Sequence, residues 1–193
     1  MNHETQTDFT MEQLETELKR EKNKINFAIA IRNTVYTLIT VAAVAVLIAV
    51  LVMPVLQIYG TSMTPTLAEG NIVVSLKGKD FDTGDVIAFY YNNKILVKRV
   101  IANSGDWVDI SKDGKVYVNN EAINEPYITD QALGECDIKL PYQVPESRVF
   151  VMGDHRSISV DSRNTAIGCV SEEQIVGKIV FRVWPLSGLG RIR

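Results

Sequence analysis

Histidine and cysteine are scarce in this 193-residue chain, which has two of each. A hydrolytic zinc site needs three protein ligands of His, Cys or acidic type at short, characteristic spacings. No such cluster is written in the sequence, so it implies no metal. Glycine-rich phosphate loops of the G-x-G-x-x-G or P-loop kind are missing as well, and the sequence implies no cofactor. Excess positive charge is also lacking: the net charge is −3 and the pI near 5.5, which excludes the basic footprint of a nucleic-acid binder. The most informative absence is local. No charged residue falls between Arg32 and Glu69.

That gap contains a run of 24 apolar or small residues, Val35 to Ile58, more than the roughly 20 needed to cross a ~30 Å hydrocarbon core. The run predicts a transmembrane helix over 35–58. A cleaved signal peptide has an apolar stretch of only about 7 to 15 residues and does not follow a charged leader of some thirty. Lys19, Arg20, Lys22, Lys24 and Arg32 precede the run, whereas the first basic residue after it is Lys77. Basic flanks stay on the cytoplasmic side. The expected organisation is therefore a cytoplasmic segment over 1–34, a single span over 35–58, and an extracytoplasmic domain over 59–193. Within the first segment, Met11, Leu14 and Leu18 stand at helical spacing and predict a solvated helix leading into the membrane.

Beyond the span, short β-rich runs are cut by turn signals: "NIVVSL", "GDVIAFYY", "KILVKRVIA", "DWVDI", "KVYVNN", "SRVFVMGD" and "GKIVFRVW". Asp113-Gly114 between two of them is a hairpin signal, and "SEEQI" reads as one capped helical turn. The fold class expected is mainly β, an antiparallel sheet domain tethered to an N-terminal transmembrane helix. Cys136 and Cys169 both fall in this part, where a disulfide is permitted, and two free thiols are the equal alternative.

Ser62, in "YGTSMTPTL", follows the apolar run closely. A serine nucleophile needs a group to take its proton. His3 lies on the far side of the span, which leaves His155 or a lysine. In "ILVKRVI" a strand period of two puts Leu96, Lys98 and Val100 on one face and Val97, Arg99 and Ile101 on the other. Two adjacent cations thus point to opposite faces, and one of them must lie among apolar side chains. A lysine held there loses hydration and its pKa falls toward the range of a general base. A third stretch, "GDHRSISVDSRN" from Gly153 to Asn164, packs Asp154, Arg156, Asp161 and Arg163 into one loop, where acids and arginines form a charge-assisted network.

In order after an N-terminal span, "GTSMTPTL", "GDVIAF", "VKRVIANSGD" and "GDHRSISVDSRN" resemble the sequence boxes of bacterial type I signal peptidases, the Ser/Lys membrane endopeptidases that release exported proteins from their signal peptides. The likeness runs from the span to about Trp184, and the short single-span form is similar to the Gram-positive members. The resemblance implies Ser62 as nucleophile, Lys98 as general base, Ser159 as the hydroxyl that orients the lysine, and Asp161 with Arg163 as a supporting ion pair. Met63 falls on the residue after the nucleophile. It further implies signal-peptide-bearing preproteins cut after small residues, no cofactor, membrane lipid as the surrounding medium, and a bacterial cell membrane location. Two positions depart from the pattern. Gly60 stands where many members carry a serine that helps hold the oxyanion, leaving the Ser62 amide and a second donor, Thr61 or water. His155 stands where asparagine is usual. Ser62 lies four residues beyond Ile58, at most about 14 Å along an extended chain, which keeps the expected nucleophile beside the outer membrane surface.

Overall fold

The computed structural model describes residues 10–78 and 80–192; His3 and the start of the expected cytoplasmic segment lie outside the described residues. One continuous helix, α1, runs over Met11–Val52. The polar helix expected before the membrane and the span itself are therefore one element of 42 residues, about 63 Å long at 1.5 Å per residue. It is long and apolar enough to cross a membrane. Its hydroxyls fit that setting: Thr34, Thr37 and Thr40 each donate to the carbonyl four residues back, at 2.9 Å. Such bonds satisfy side chains where water is absent.

The helix stops earlier than the apolar run. Pro54 has no N–H to donate and disfavours helical backbone in the residue before it, and the next three residues, Val55–Gln57, form β1, paired antiparallel with Val74 to Ile72. The helix expected to reach residue 58 thus ends at Val52, and the last apolar residues become the first strand of the sheet. This is a consequence of Pro54 that hydropathy alone does not carry.

The remaining strands are β2 (Ile72–Leu76), β3 (Val86–Tyr91), β4 (Lys94–Ala102), β5 (Trp107–Ile110), β6 (Val116–Val118), β7 (Glu121–Ala122), β8 (Tyr142–Gln143), β9 (Arg148–Met152), β10 (Val170–Ser171), β11 (Ile175–Trp184) and β12 (Gly190–Arg191). They form two antiparallel sheets, one ordered β1-β2-β11-β3-β4-β9-β10 with β12 on β11, the other β7-β6-β5-β8. The mainly antiparallel β class expected from the sequence is what the chain adopts. Gly114, at φ +85, makes the turn between β5 and β6, and Glu172–Gln174 forms a short 3-10 turn whose Gln174 side chain accepts the Ser171 N–H at 3.0 Å. Cys136 and Cys169 are both free thiols.

Two details of pairing position the site. β4 pairs with β3 along Lys94 to Arg99, but with β9 only from Arg99 onward. The outer backbone edge of its first half is therefore free. β1 is the terminal strand of the same sheet, so one of its edges is free too. The loop after β1 is pinned by Met63 and Leu67, which are buried with Ile58, Val73, Val86, Ala88 and Ile179 in one apolar cluster.

Candidate active site

Ser62 and Lys98 come together from segments 36 residues apart, with Lys98 Nζ in hydrogen bond to Ser62 Oγ at 2.7 Å. Each is positioned by its own element. Ser62 and Met63 are the central residues of a turn closed by Thr64 N–H donating to the Thr61 carbonyl at 3.1 Å, followed by Leu67 N–H to the Met63 carbonyl at 2.8 Å. Gly60 enters that turn at φ +81, a left-handed conformation a serine adopts only with strain. That is the physical reason for glycine at position 60.

Lys98 sits in mid-β4, opposite Ile87 of β3, and is 4% exposed. Burial strips water from its ammonium and brings its pKa down from 10.5 to about 8; the Asp161 charge opposes this, Arg163 adds to it, and Asp154 opposes it. The expectation that one of the adjacent cations must be buried understates the result, because Arg99 is buried as well, at 1%. Both faces of β4 are covered here. Arg99 is tolerated because it is fully engaged: it donates from Nε and Nη2 to both Asp154 oxygens at 2.9 and 2.7 Å and from Nη1 to the Gly84 carbonyl at 2.6 Å, and it stacks 3.9 Å from the Tyr127 ring centre. Planar bidentate pairing suits arginine where lysine could not satisfy the same groups.

The loop over 153–164 is a network, but its partners differ from those expected. Asp161 and Arg163 pair with each other through Nε–Oδ1 and Nη2–Oδ2, both 2.8 Å. Burial works to raise the Asp161 pKa, yet its bonds from Arg163 and from the Gly153 N–H hold it below the ordinary value. Asp154 turns away to Arg99 and Thr66, the latter at 2.5 Å, and Arg156 reaches Glu125 with both terminal nitrogens. Arg163 further donates to the Ser159 and Arg156 carbonyls at 3.2 and 3.0 Å, locking the loop's shape. Ser159 is buried, and its hydroxyl makes no hydrogen bond, including none to Lys98, although it lies close enough to the Asp161 carboxylate to help keep it anionic. A methyl added at Gly153 would press on both Ser159 Oγ and the Ser62 carbonyl oxygen, so these two residues lie side by side.

The dyad opens into a cleft of about 790 Å³ bounded by Val55 to Gly60, Ser62 and Met63 on one side and Lys94 to Lys98 on the other. Both free edges border it. Residues the sequence reading left unassigned also build this region: Arg99, Glu125, Tyr127, Thr64 and Thr66. Only Arg99 carried a signal, as a cation phased to an apolar strand face. Among the described residues there is no group of three or more His, Cys, Asp or Glu side chains suited to a metal. A half-buried serine paired with a buried amine at the foot of an open cleft can carry out acyl transfer.

Residues 31–184 match the family described as signal peptidase, peptidase S26. The chain is 40% identical over 150 residues to signal peptidase IB of Staphylococcus aureus strain COL, covering 67% of this chain and 77% of that one. It is 36% identical over 148 residues to the chloroplastic thylakoidal processing peptidase 1 of Arabidopsis thaliana, covering 68% of this chain and 42% of that longer protein. A solved signal peptidase I from Enterococcus faecalis V583 is 28% identical, with a TM-score of 0.42, over 52% of this chain and 97% of its own.

Proposed function

The chain belongs to the signal peptidase family, peptidase S26, and from that premise we propose that it is a membrane-anchored serine endopeptidase that removes signal peptides from exported preproteins through a Ser62/Lys98 dyad. The observation that carries the proposal is the 2.7 Å contact between Ser62 Oγ and a buried amine. With its pKa near 8, Lys98 carries a useful neutral fraction near neutral pH. The Ser62 hydroxyl donates its proton to that amine as Oγ attacks the scissile carbonyl carbon. The resulting ammonium returns the proton to the leaving amine, and the peptide C–N bond breaks to leave an acyl ester on Ser62. Water, deprotonated by the same amine, attacks the ester and frees the new carboxylate.

Around the dyad, the Ser62 N–H is one donor to the oxyanion, and Thr61 or water supplies the second. When Lys98 becomes an ammonium it has N–H groups to place, and the buried, unpaired Ser159 hydroxyl beside Ser62 is the acceptor we assign to one of them. Asp161 and Arg163 hold Ser159's loop. The free edges of β1 and β4 favour a substrate in extended form, added as a strand along the cleft, with small side chains next to the cut bedded among Ile58, Met63 and Leu96. The helix anchors the catalytic domain at the lipid surface where an inserted signal peptide ends, with its basic amino-terminal flank inside the cell and the domain over 59–193 outside.

The test is to incubate the detergent-solubilised full-length protein with a preprotein and to sequence the new amino terminus. Cleavage after a small residue, lost in Ser62→Ala and in Lys98→Ala, is expected. Cleavage that survives Ser62→Ala would remove the dyad.

A further inference from the structure

The His155 ring is about one-third exposed and stands at a point where three segments meet. Its backbone N–H donates to the Ser62 carbonyl at 3.1 Å. Its ring Nδ1 lies 2.9 Å from Thr64 Oγ1. On the far side, Nε2 is 3.7 Å from Asp130 Oδ2, a carboxylate that also accepts the Ser157 N–H at 3.2 Å. One residue therefore grips the Ser62 turn twice, at its central carbonyl and at its closing residue.

The hydrogen bonds open to Thr64 give this grip a direction. Thr64 has one hydroxyl proton, and Thr64 Oγ1 lies 2.8 Å from the Thr61 carbonyl, which can only accept. Thr64 Oγ1 must then accept from the imidazole, so Nδ1 carries a proton. The result is a relay of fixed polarity, His155 Nδ1–H to Thr64 O–H to Thr61 C=O, running across the turn that presents Ser62 to Lys98. The backbone bond from Thr64 to Thr61 and the buried Met63 and Leu67 hold the turn from within, and the relay adds a side-chain tie across its outer face, where Thr61 is exposed.

Building on the proposed peptidase reading, we propose that His155 is a positioning residue: through Thr64 it holds the Ser62 turn in the rotational setting that keeps Oγ on the Lys98 amine. It does not touch the reacting atoms. Loosening the turn misaligns the nucleophile, whereas the backbone edges of β1 and β4 and the Met63 side chain, held in its own apolar cluster, stay in place, so the effect falls mainly on kcat and little on KM. An asparagine side chain can offer an N–H from nearly the position of Nδ1, so the relay tolerates that exchange and does not tolerate an apolar one.

The test uses the full-length protein in detergent with a preprotein substrate. His155→Leu and Thr64→Val should each lower kcat roughly tenfold, the rate equivalent of losing about one hydrogen bond's worth of alignment, with KM changed less than about twofold. The double variant should be no slower than either single one, because both break the same relay, and His155→Asn and Thr64→Ser should recover most of the rate. Additive losses, an unchanged kcat in His155→Leu, or failure of both conservative exchanges to recover would overturn the proposal. If His155→Leu does not fold, the Thr64→Val and Thr64→Ser pair decides alone. Wild-type protein that cleaves no preprotein refutes the peptidase reading instead, and the relay is then read from the imidazole 15N shifts of His155: a proton on Nδ1 supports it, and a neutral ring protonated only on Nε2 overturns it.

Discussion

Replacing Lys98 with methionine should destroy activity and, at neutral pH, make the protein more stable. Carrying the amine from 10.5 to about 8, at 1.36 kcal/mol for each tenfold change, means that holding it protonated in the fold costs about 3 kcal/mol relative to the unfolded chain. Methionine is unbranched and of similar length, so it fills the same space without that cost. It forfeits the bond to Ser62, worth about 1 kcal/mol. The net gain is about 2 kcal/mol at pH 7, or a rise in Tm of about 4 to 8 °C for a chain of this size. The pH dependence is the sharper part. Between about 8 and 10.5 the unfolded lysine still binds its proton and the folded one does not, so the unfolded state holds more protons and wild-type stability rises with pH across that window. Methionine has no such slope, so its advantage should shrink from about pH 8, vanish near pH 9.5 and become a deficit of about 1 kcal/mol, the lost Ser62 bond, by about pH 10.5. Thermal unfolding of both full-length proteins in detergent, scanned from pH 6.5 to 10.5, measures this. A methionine variant no more stable than wild type at pH 7, or a gap that ignores pH, would refute the burial argument.

The same value predicts kinetics: kcat/KM should rise with pH through one ionisation near 8 and level off by about pH 9.5, since at pH 7 about 9% of such an amine is neutral against about 0.03% for free lysine. A profile still climbing at pH 10 would count against Lys98 as the base. Gly153→Ala would place a methyl 2.5 Å from the Ser62 carbonyl oxygen and hard against Ser159; kcat should fall at least tenfold, and a fully active variant would mean that this contact does not hold the nucleophile. Protease added outside intact protoplasts should digest the β domain and leave a fragment of residues 1 to about 58, and protection of the domain would reverse the proposed orientation.

The parts legible in the sequence are those set by local pattern. Strand phase alone put Lys98 and Arg99 on opposite faces, and alternation with turn residues gave the antiparallel class. What escaped is pairing at a distance. Asp154, Arg156, Asp161 and Arg163 look self-sufficient along the chain, but only Asp161 and Arg163 satisfy each other. Asp154 is claimed by Arg99, 55 residues earlier, and Arg156 by Glu125. Such choices depend on which side of the sheet each loop crosses, and no periodicity records that. Pro54 was a local signal of another kind: it ends the helix and frees Val55–Gln57 to become a strand, whereas an apolar count sees no difference between the two. The Thr64–His155 contact joins residues 91 positions apart and could only be seen folded.

If a substrate strand lies between the free edges as proposed, their brevity favours turnover. β1 offers three residues and the unpaired part of β4 little more, so a strand laid between them gains only a few backbone hydrogen bonds, each worth about 1 kcal/mol net. Four such bonds correspond to a dissociation constant near 1 mM. The backbone alone therefore cannot retain a peptide, and residence in the cleft depends on side chains on both sides of the scissile bond acting together. Cutting that bond divides the grip. Neither fragment keeps enough of it to linger, and the short edges let the cleft empty without a moving part.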